Sequence, residues 1–285
     1  MADPLILFHL SDIHFGLEDR AALDRVGAAI TERRPAAVLI TGDLTMRARH
    51  REFAAAREWI GALNVPVTVE VGNHDMPYFN LWERFTDPFK RFLWLENLLE
   101  RPLDLPGISV IPLLTTTKAQ WRWPWSEGKV TARALAETLA AIDRVPKGNR
   151  VLVTAHHPLT ERGPRGQLLT IGGTAAMTAL AGRGVEAVLS GHVHDPFDLS
   201  VQTDNGPLRM IGAGTLSKRI RSTPASYNEL TVTGDAISVQ VRNFEQVPTD
   251  QMQIGAVPKD ALPPREPGEP VAPVGAVPPV DPPVH

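Results

Sequence analysis

Leu5-Ile6-Leu7-Phe8-His9-Leu10-Ser11-Asp12-Ile13-His14 is the stretch that decides the fold. A short, mostly apolar run ends abruptly in a carboxylate and an imidazole two positions apart. Four further apolar runs end in carboxylate, amide or imidazole groups. Ala37–Thr41 runs into Gly42-Asp43-Leu44, and Val67–Val71 runs into Gly72-Asn73-His74-Asp75. Arg150–Thr154 leads to His156-His157-Pro158, and Ala187–Leu189 to Gly191-His192-Val193-His194. Six of the chain's nine histidines lie in these motifs.

Between the runs the hydrophobic period changes from two to that of a helix. Leu23, Val26 and Ile30 share one helical face, closed by Pro35. A second helical pattern covers about Arg49–Leu63 and leads through Pro66 to the next strand. Leu135, Thr138, Leu139 and Ile142 make a third face, and a small-residue helix spans about Gly173–Gly182. Strands that alternate with helices imply parallel pairing and an α/β fold. In open α/β sheets ligands bind beyond the carboxyl ends of the strands, and each polar motif falls there. After His194 the character changes. Phe197–Thr203, Leu208–Gly212, Ser226–Val232 and Ala236–Val241 read as strands divided by the turn signals Asn205-Gly206 and Gly234-Asp235. They predict an antiparallel extension of the sheet or a second sheet packed on the first.

At 285 residues the chain is long enough for one large core or two small ones. It contains no cysteine, which excludes disulfides, thiolate metal sites and cysteine nucleophiles. Any metal must take histidine, carboxylate and amide ligands, which suit Mn, Fe, Zn or Co better than Cu(I). The net charge of −3 supplies no basic field, so no long nucleic-acid partner is expected. Asp3-Pro4 stand where a signal peptide would carry basic residues, and no apolar stretch approaches the ~18 residues of a membrane span. The expected location is cytoplasmic.

The motifs assemble a metal-ligand set. In an extended segment residues i and i+2 project to one side, so Asp12 and His14 can grip one ion. His192 and His194 have the same spacing, and a slight twist lets them reach two adjacent ions. Asp43 stands alone after its strand and can bridge two ions through its two oxygens. Asn73 offers an amide oxygen and His156 an imidazole. If Asp43 is shared, each ion has four protein groups, with positions left for water and substrate. Taken singly these motifs are weak, because a lone Asp-x-His or a Gly-Asp turn is common. All five in order, each after a strand, are not.

The set resembles the calcineurin-like metallophosphoesterase superfamily, whose pattern is D-x-H, G-D, G-N-H-D/E, H, G-H-x-H. The resemblance covers about residues 5–245 and implies a four-layer αββα sandwich with two mixed sheets and a dinuclear metal site at the carboxyl ends of the strands. It implies that Asp12, His14 and His194 hold the first metal, that Asn73, His156 and His192 hold the second, and that Asp43 bridges them. His74 would contact the phosphoryl group or protonate the leaving oxygen, and Asp75 would orient His74. His157 would be a neighbour rather than a ligand. The cofactors implied are two divalent or trivalent ions, Mn, Fe or Zn. Ions about 4 Å apart would lower the pKa of a bridging water from 15.7 toward about 7, and the resulting hydroxide would attack phosphorus in line. The chain thus divides into a metallophosphoesterase domain over 1–247 and a proline-rich tail over 248–285; ten of the 26 prolines lie in Pro258–Pro283. Such composition cannot build a packed core, so the tail reads as disordered or as a docking strand for a partner.

Leu10–His14, Thr41-Gly42-Asp43-Leu44-Thr45 and His156-His157-Pro158 most resemble the bacterial group of class III cyclic-nucleotide phosphodiesterases. The expected activity is therefore hydrolysis of a small-molecule phosphodiester, of the cyclic-nucleotide or glycerophosphodiester class. A phosphomonoesterase, a pyrophosphatase acting on a nucleotide-linked lipid precursor, a nuclease and a non-catalytic scaffold are the alternatives. Intact ligands and His74 argue against the scaffold. Selectivity must come from pocket walls. Trp121, Trp123 and Trp125 offer faces for a base, a sugar or an acyl chain, unless they pack their loop. Lys218, Arg219 and Arg221 follow Gly212-Ala213-Gly214-Thr215 and suit phosphate, unless they are a solvated basic loop. Residues 77–105 form an apolar, aromatic insertion that reads as a cap over the site, a homodimer surface, a lipid-facing element or ordinary packing.

Overall fold

A computed structural model describes residues 4–77, 80–99, 103–117, 127–160, 170–234 and 236–244. The first sheet is built on β1 (Leu5–Leu10), β2 (Ala37–Ile40) and β3 (Val67–Val69), which are parallel. Helices α1 (Arg20–Arg33) and α2 (His50–Ala62) make the two crossovers. Asp19 caps α1 by accepting the Ala22 N–H (3.1 Å), and Arg34 ends it in a left-handed conformation one residue before Pro35. Helices α3 (Leu81–Thr86) and α4 (Lys90–Leu99) follow, and β4 (Ile108–Pro112) opens the second sheet. There α5 (Ala132–Ile142), β5 (Arg150–Thr154), α6 (Gly173–Ala181) and β6 (Val185–Ser190) continue the parallel winding.

The four C-terminal strands divide between the sheets. Strands β7 (Phe197–Thr203) and β8 (Gly206–Gly212) form a hairpin, and β8 joins β6 in parallel. Strands β9 (Ser226–Val232) and β10 (Ile237–Asn243) return to the first sheet, β9 antiparallel to β1. Two mixed five-stranded sheets result, with orders β10-β9-β1-β2-β3 and β4-β5-β6-β8-β7.

Strand periodicity sorts the core into three layers. Phe8, Leu10, Val38 and Ile40 pack with Leu23, Val26 and Ile30 of α1 and Phe53 and Ile60 of α2. Their neighbours Leu7 and Leu39 point the other way and meet Leu152, Leu189 and Ile211 of the second sheet. On its far face Val151, Val153 and Val188 pack with Ile142, Met177 and Leu180. The central strands are buried on both faces, which explains their continuous apolar runs. The order of layers is helix, sheet, sheet, helix, as expected.

Of the readings open for residues 77–105, the described part of α4 supports packing on the body of the domain. Helix α4 lies against α2 and β3, with Phe92 and Leu95 in the core that holds Phe53 and Ile60. Arg91 bonds the Ala48 carbonyl (2.7 Å) and pairs with Glu83. This element therefore belongs to the outer helical layer. Leu81, Trp82, Phe85, Leu93, Trp94 and Leu98 remain exposed on α3 and α4, Trp82 by 80%. No helix among the described residues is long and apolar enough to cross a membrane. The expected tail, 248–285, lies outside the described residues.

Candidate metal centre

The loops after β1 and β2 continue to pair beyond the strands. The N–H groups of Asp12, His14 and Phe15 donate to the carbonyls of Gly42 (3.1 Å), Asp43 (3.0 Å) and Leu44 (2.7 Å). The side chains converge because the backbone turns left-handed at alternate residues. Positive φ occurs at Asp12 (54°), His14 (51°), Asp43 (52°), His192 (69°) and His194 (63°). The extended Asp12-x-His14 geometry expected from spacing is therefore corrected; a left-handed pair brings the two groups together. Each such residue costs about 1–2 kcal/mol, and strain of this kind collects at functional sites.

Close approach of the two sheets requires glycine at two points. Gly42 has φ 95°, and a Cβ there would lie 2.5 Å from Nδ1 of His156. A Cβ on Gly191 would lie 1.7 Å from Oγ of Ser11. Gly191 N–H donates to the His156 carbonyl (3.0 Å), and His192 N–H donates to Asp12 Oδ2 (2.8 Å). The first bond joins two ligand loops of the second sheet, and the second locks that sheet's loops to the Asp12 loop of the first.

Two clusters form. In one, His194 Nε2 lies 3.1 Å from Asp12 Oδ1 and 3.3 Å from His14 Nε2. In the other, His156 Nε2 lies 3.1 Å from Asn73 Oδ1, and the ring of His192 is 5.1 Å away, centroid to centroid. Asp43 stands between them. Its Oδ2 is 3.7 Å from His14 Nε2 and its Oδ1 is 3.4 Å from His156 Nε2. All these groups except Asn73 and His192 are almost wholly buried.

The chemistry of the donor set fits cations. His194 Nδ1 donates to the Arg219 carbonyl (2.7 Å) and His156 Nδ1 donates to the Thr41 carbonyl (2.8 Å). In each neutral ring Nε2 is then a lone pair. Those lone pairs face Asp12 Oδ1, Asp43 Oδ1 and Asn73 Oδ1, which are acceptors as well. Asp12 Oδ1 is buried with no hydrogen-bond donor. Acceptors at such distances need a proton or a metal ion between them. The local field agrees. Burial pushes His14 down to about 4 and His192 to about 3. Burial also opposes a charge on His156, but Asp43 outweighs it and lifts that ring to about 9. Asp12 acts in the same way on His194. Burial works against both carboxylates too, yet His194 holds Asp12, and His156 holds Asp43, below the usual range. A field that keeps a proton there attracts a metal ion for the same reason.

His74 and Asp75 lie beside the clusters. His74 N–H donates to Asp43 Oδ1 (2.9 Å), and its Nδ1 donates to the Met46 carbonyl (2.8 Å). Asp75 does not orient that ring, which corrects the sequence expectation. Its Oδ1 accepts from Thr45 N–H (2.7 Å) and Thr45 Oγ1 (3.0 Å), and its Oδ2 from Gly72 (2.9 Å) and Leu44 (3.2 Å) N–H groups. It ties the Asp43 loop to the Asn73 loop. Burial, with Asp43 nearby, lifts its carboxyl to about 7. His157 Nδ1 meets Thr115 Oγ1 (3.0 Å), and its ring packs 4.5 Å from that of His192.

Of the proposed pocket walls, only Arg219 reaches the clusters among the described residues. Its Nη1 is 3.1 Å from His74 Nε2 and 3.4 Å from His14 Nε2. Lys218 and Arg221 are exposed on either side of it. Trp121, Trp123 and Trp125 lie outside the described residues. Sequence reasoning missed the supports. The Thr41 and Met46 carbonyls carry no side-chain signal, and His9 looked like an ordinary strand residue. It is fully buried, with Nε2 on Thr41 Oγ1 (3.0 Å) and Nδ1 facing Asn228 Nδ2 (3.3 Å).

An αββα sandwich whose strand ends bring together two linked histidine–carboxylate clusters defines the class of dinuclear metal phosphoesterases. Residues 6–196 match the calcineurin-like phosphoesterase family, and the chain belongs to it. A curated relative, the SbcD nuclease subunit of Staphylococcus epidermidis, is 25% identical over 218 residues. That match takes in 68% of this chain but only 58% of the relative's length. Among solved structures, a dimetal phosphatase from Danio rerio superposes with a TM-score of 0.64 at 14% identity, over 85% of this chain and 97% of that one. Purple acid phosphatase PPD1 from yellow lupin gives 0.60 at 12% identity, over 85% and 52%. Likeness at this identity is one of fold.

Proposed function

We propose that the protein hydrolyses small phosphodiesters, with Asp12, His14 and His194 holding one metal ion, Asn73, His156 and His192 a second, and Asp43 shared between them. The observation that carries this reading is Asp43, whose two oxygens face different clusters. Bound metal ions supply Lewis acidity and a nucleophile at neutral pH. The chain's own residues supply the rest. The Thr41 and Arg219 carbonyls fix the rings of His156 and His194. His74 and Arg219 stand at the His14 side, where a phosphoryl oxygen can be met by a cation.

The diester preference rests on the motifs at residues 10–14, 41–45 and 156–158, and on the curated relative's name, since a nuclease cleaves phosphodiesters. A net charge of −3 supports a small substrate over a polynucleotide. The test compares bis(p-nitrophenyl) phosphate, p-nitrophenyl phosphate and single-stranded DNA with protein refilled with Mn, Zn or Fe. Metal-dependent turnover of the small diester above the other two is expected. Preference for the monoester or for DNA would replace this reading. The exposed Leu81, Trp82, Phe85, Leu93, Trp94 and Leu98 favour a second one, an amphiphilic phosphoester or pyrophosphate. That reading expects turnover of a lipid-linked substrate to rise with detergent micelles.

A further inference from the structure

The loop after β8 turns one basic side chain inward and leaves two outside. Its shape is fixed by contacts with both ligand loops. Thr215 Oγ1 donates to the Asp12 carbonyl (2.7 Å) and accepts from Ser217 N–H (3.1 Å). Lys218 N–H donates to the Leu17 carbonyl (2.9 Å), and Arg219 N–H donates to Ser217 Oγ (3.2 Å). Past the arginine, Asp195 Oδ1 accepts from the N–H groups of Ser222 (2.9 Å) and Thr223 (3.0 Å). Asp195 directly follows His194, so the loop is pinned to one ligand motif before Arg219 and to the other after it. Arg219 is half-buried between exposed Lys218 and exposed Ile220.

The hydrogen-bond directions define the contact with His74. The Met46 carbonyl can only accept, so His74 Nδ1 is the donor of that bond. A guanidinium can only donate, so His74 Nε2 presents its lone pair to Arg219 Nη1 at 3.1 Å. In this contact Nε2 faces the guanidinium rather than open space. The ring is well built to aim a cation. The remaining guanidinium N–H groups form a planar fork suited to phosphoryl oxygens.

We propose that Arg219 is a catalytic residue that binds a non-bridging phosphoryl oxygen as charge develops on it, and that His74 is its positioning residue rather than the proton donor to the leaving group. This rests on the phosphoesterase reading, so the wild-type protein with two metals must first turn over an aryl phosphodiester; failure at that step overturns the function, not the arginine's part in it. Arg219→Ala, Arg219→Lys, His74→Ala and the Arg219→Ala/His74→Ala double variant are then compared for bound metal, kcat and KM. The substrates are aryl phosphodiesters of rising leaving-group pKa. Arg219→Ala is expected to keep two metals and lose about 100–1,000-fold in kcat/KM, the usual cost of removing one preorganised donor. Arg219→Lys is expected to recover little, because one ammonium cannot reproduce the fork. The double variant should be scarcely worse than Arg219→Ala, since His74 acts through the arginine. The dependence on leaving-group pKa should be the same in His74→Ala as in wild type. A steeper dependence in His74→Ala, or multiplicative losses in the double variant, would return the proton-donor role to His74. Loss of metal in Arg219→Ala would make the arginine a structural prop and overturn the proposal.

Discussion

The two ligand clusters share Asp43 and differ in almost everything else. In the proposed assignment Asp12, His14 and His194 offer their ion a full carboxylate. Asn73, His156 and His192 bring only neutral donors, so half of Asp43 is their whole negative charge. The support is alike in one respect, since His194 leans on the Arg219 carbonyl and His156 on the Thr41 carbonyl; only the first cluster has a carboxylate of its own, Asp12, whose Oδ2 accepts the His192 N–H. Coulomb attraction in a buried site is strong, so the first cluster should fill first and empty last. On this account one shared carboxylate would join a tight site to a loose one.

The largest effect is expected where the two sites meet. Asp43→Ala should reduce turnover to that of metal-free protein, because each ion loses a ligand and the link between them is gone. Residual metal-dependent turnover well above that blank would show that the sites work separately. Next in size are the changes that strike one site only. At limiting Mn, Asn73→Ala should leave about one tightly held ion per chain, by elemental analysis after gel filtration. Asp12→Asn, which removes a charge rather than an amide, should cost more affinity and should weaken the tight ion. Equal losses in the two variants would erase the asymmetry.

A smaller effect concerns the support of the looser site. His9 props Thr41, whose carbonyl orients His156. Burial holds His9 at about 3 against an ordinary 6.5, with Asp12 opposing. Between those values the unfolded chain binds a proton that the folded chain refuses. Stability therefore falls as pH drops below 6.5, by about 1.4 kcal/mol per unit for this group alone. In metal-free protein His9→Gln should flatten the slope of unfolding free energy against pH by that amount, measured with urea from pH 7 to 5. An unchanged slope would mean that His9 is protonated in the fold.

Much of this was legible in the chain. Apolar runs ending in Asp12, Asp43, Asn73, His156 and His192 placed the strands and the ligands together, because strand burial and polar loop ends leave opposite signatures. The left-handed backbone at Asp12, His14, His192 and His194 was not legible, since residue spacing alone reads as extended chain. Nor was the sharing of four C-terminal strands between two sheets, which depends on long-range pairing. The resemblance gave Asp75 to the His74 ring, whereas its carboxylate bonds Thr45, Leu44 and Gly72, which spacing does not reveal. Lys218, Arg219 and Arg221 looked equivalent, and only the pinned loop selects the middle one. Residues 77–105 left a cap, a dimer surface, a lipid-facing element and ordinary packing open, because their apolar content exceeds one helix face; Phe92 and Leu95 join the core with α2, while Trp82 and Trp94 are exposed.

The most direct test is a metal titration followed by activity. Metal-free protein is given Mn in steps from zero to three equivalents, and bound Mn and bis(p-nitrophenyl) phosphate hydrolysis are read on the same samples. Hydrolysis should stay low through the first equivalent, rise with the second and level off at two ions per chain, with no rise in Asp43→Ala. Full activity at one ion per chain would contradict a dinuclear centre joined by Asp43.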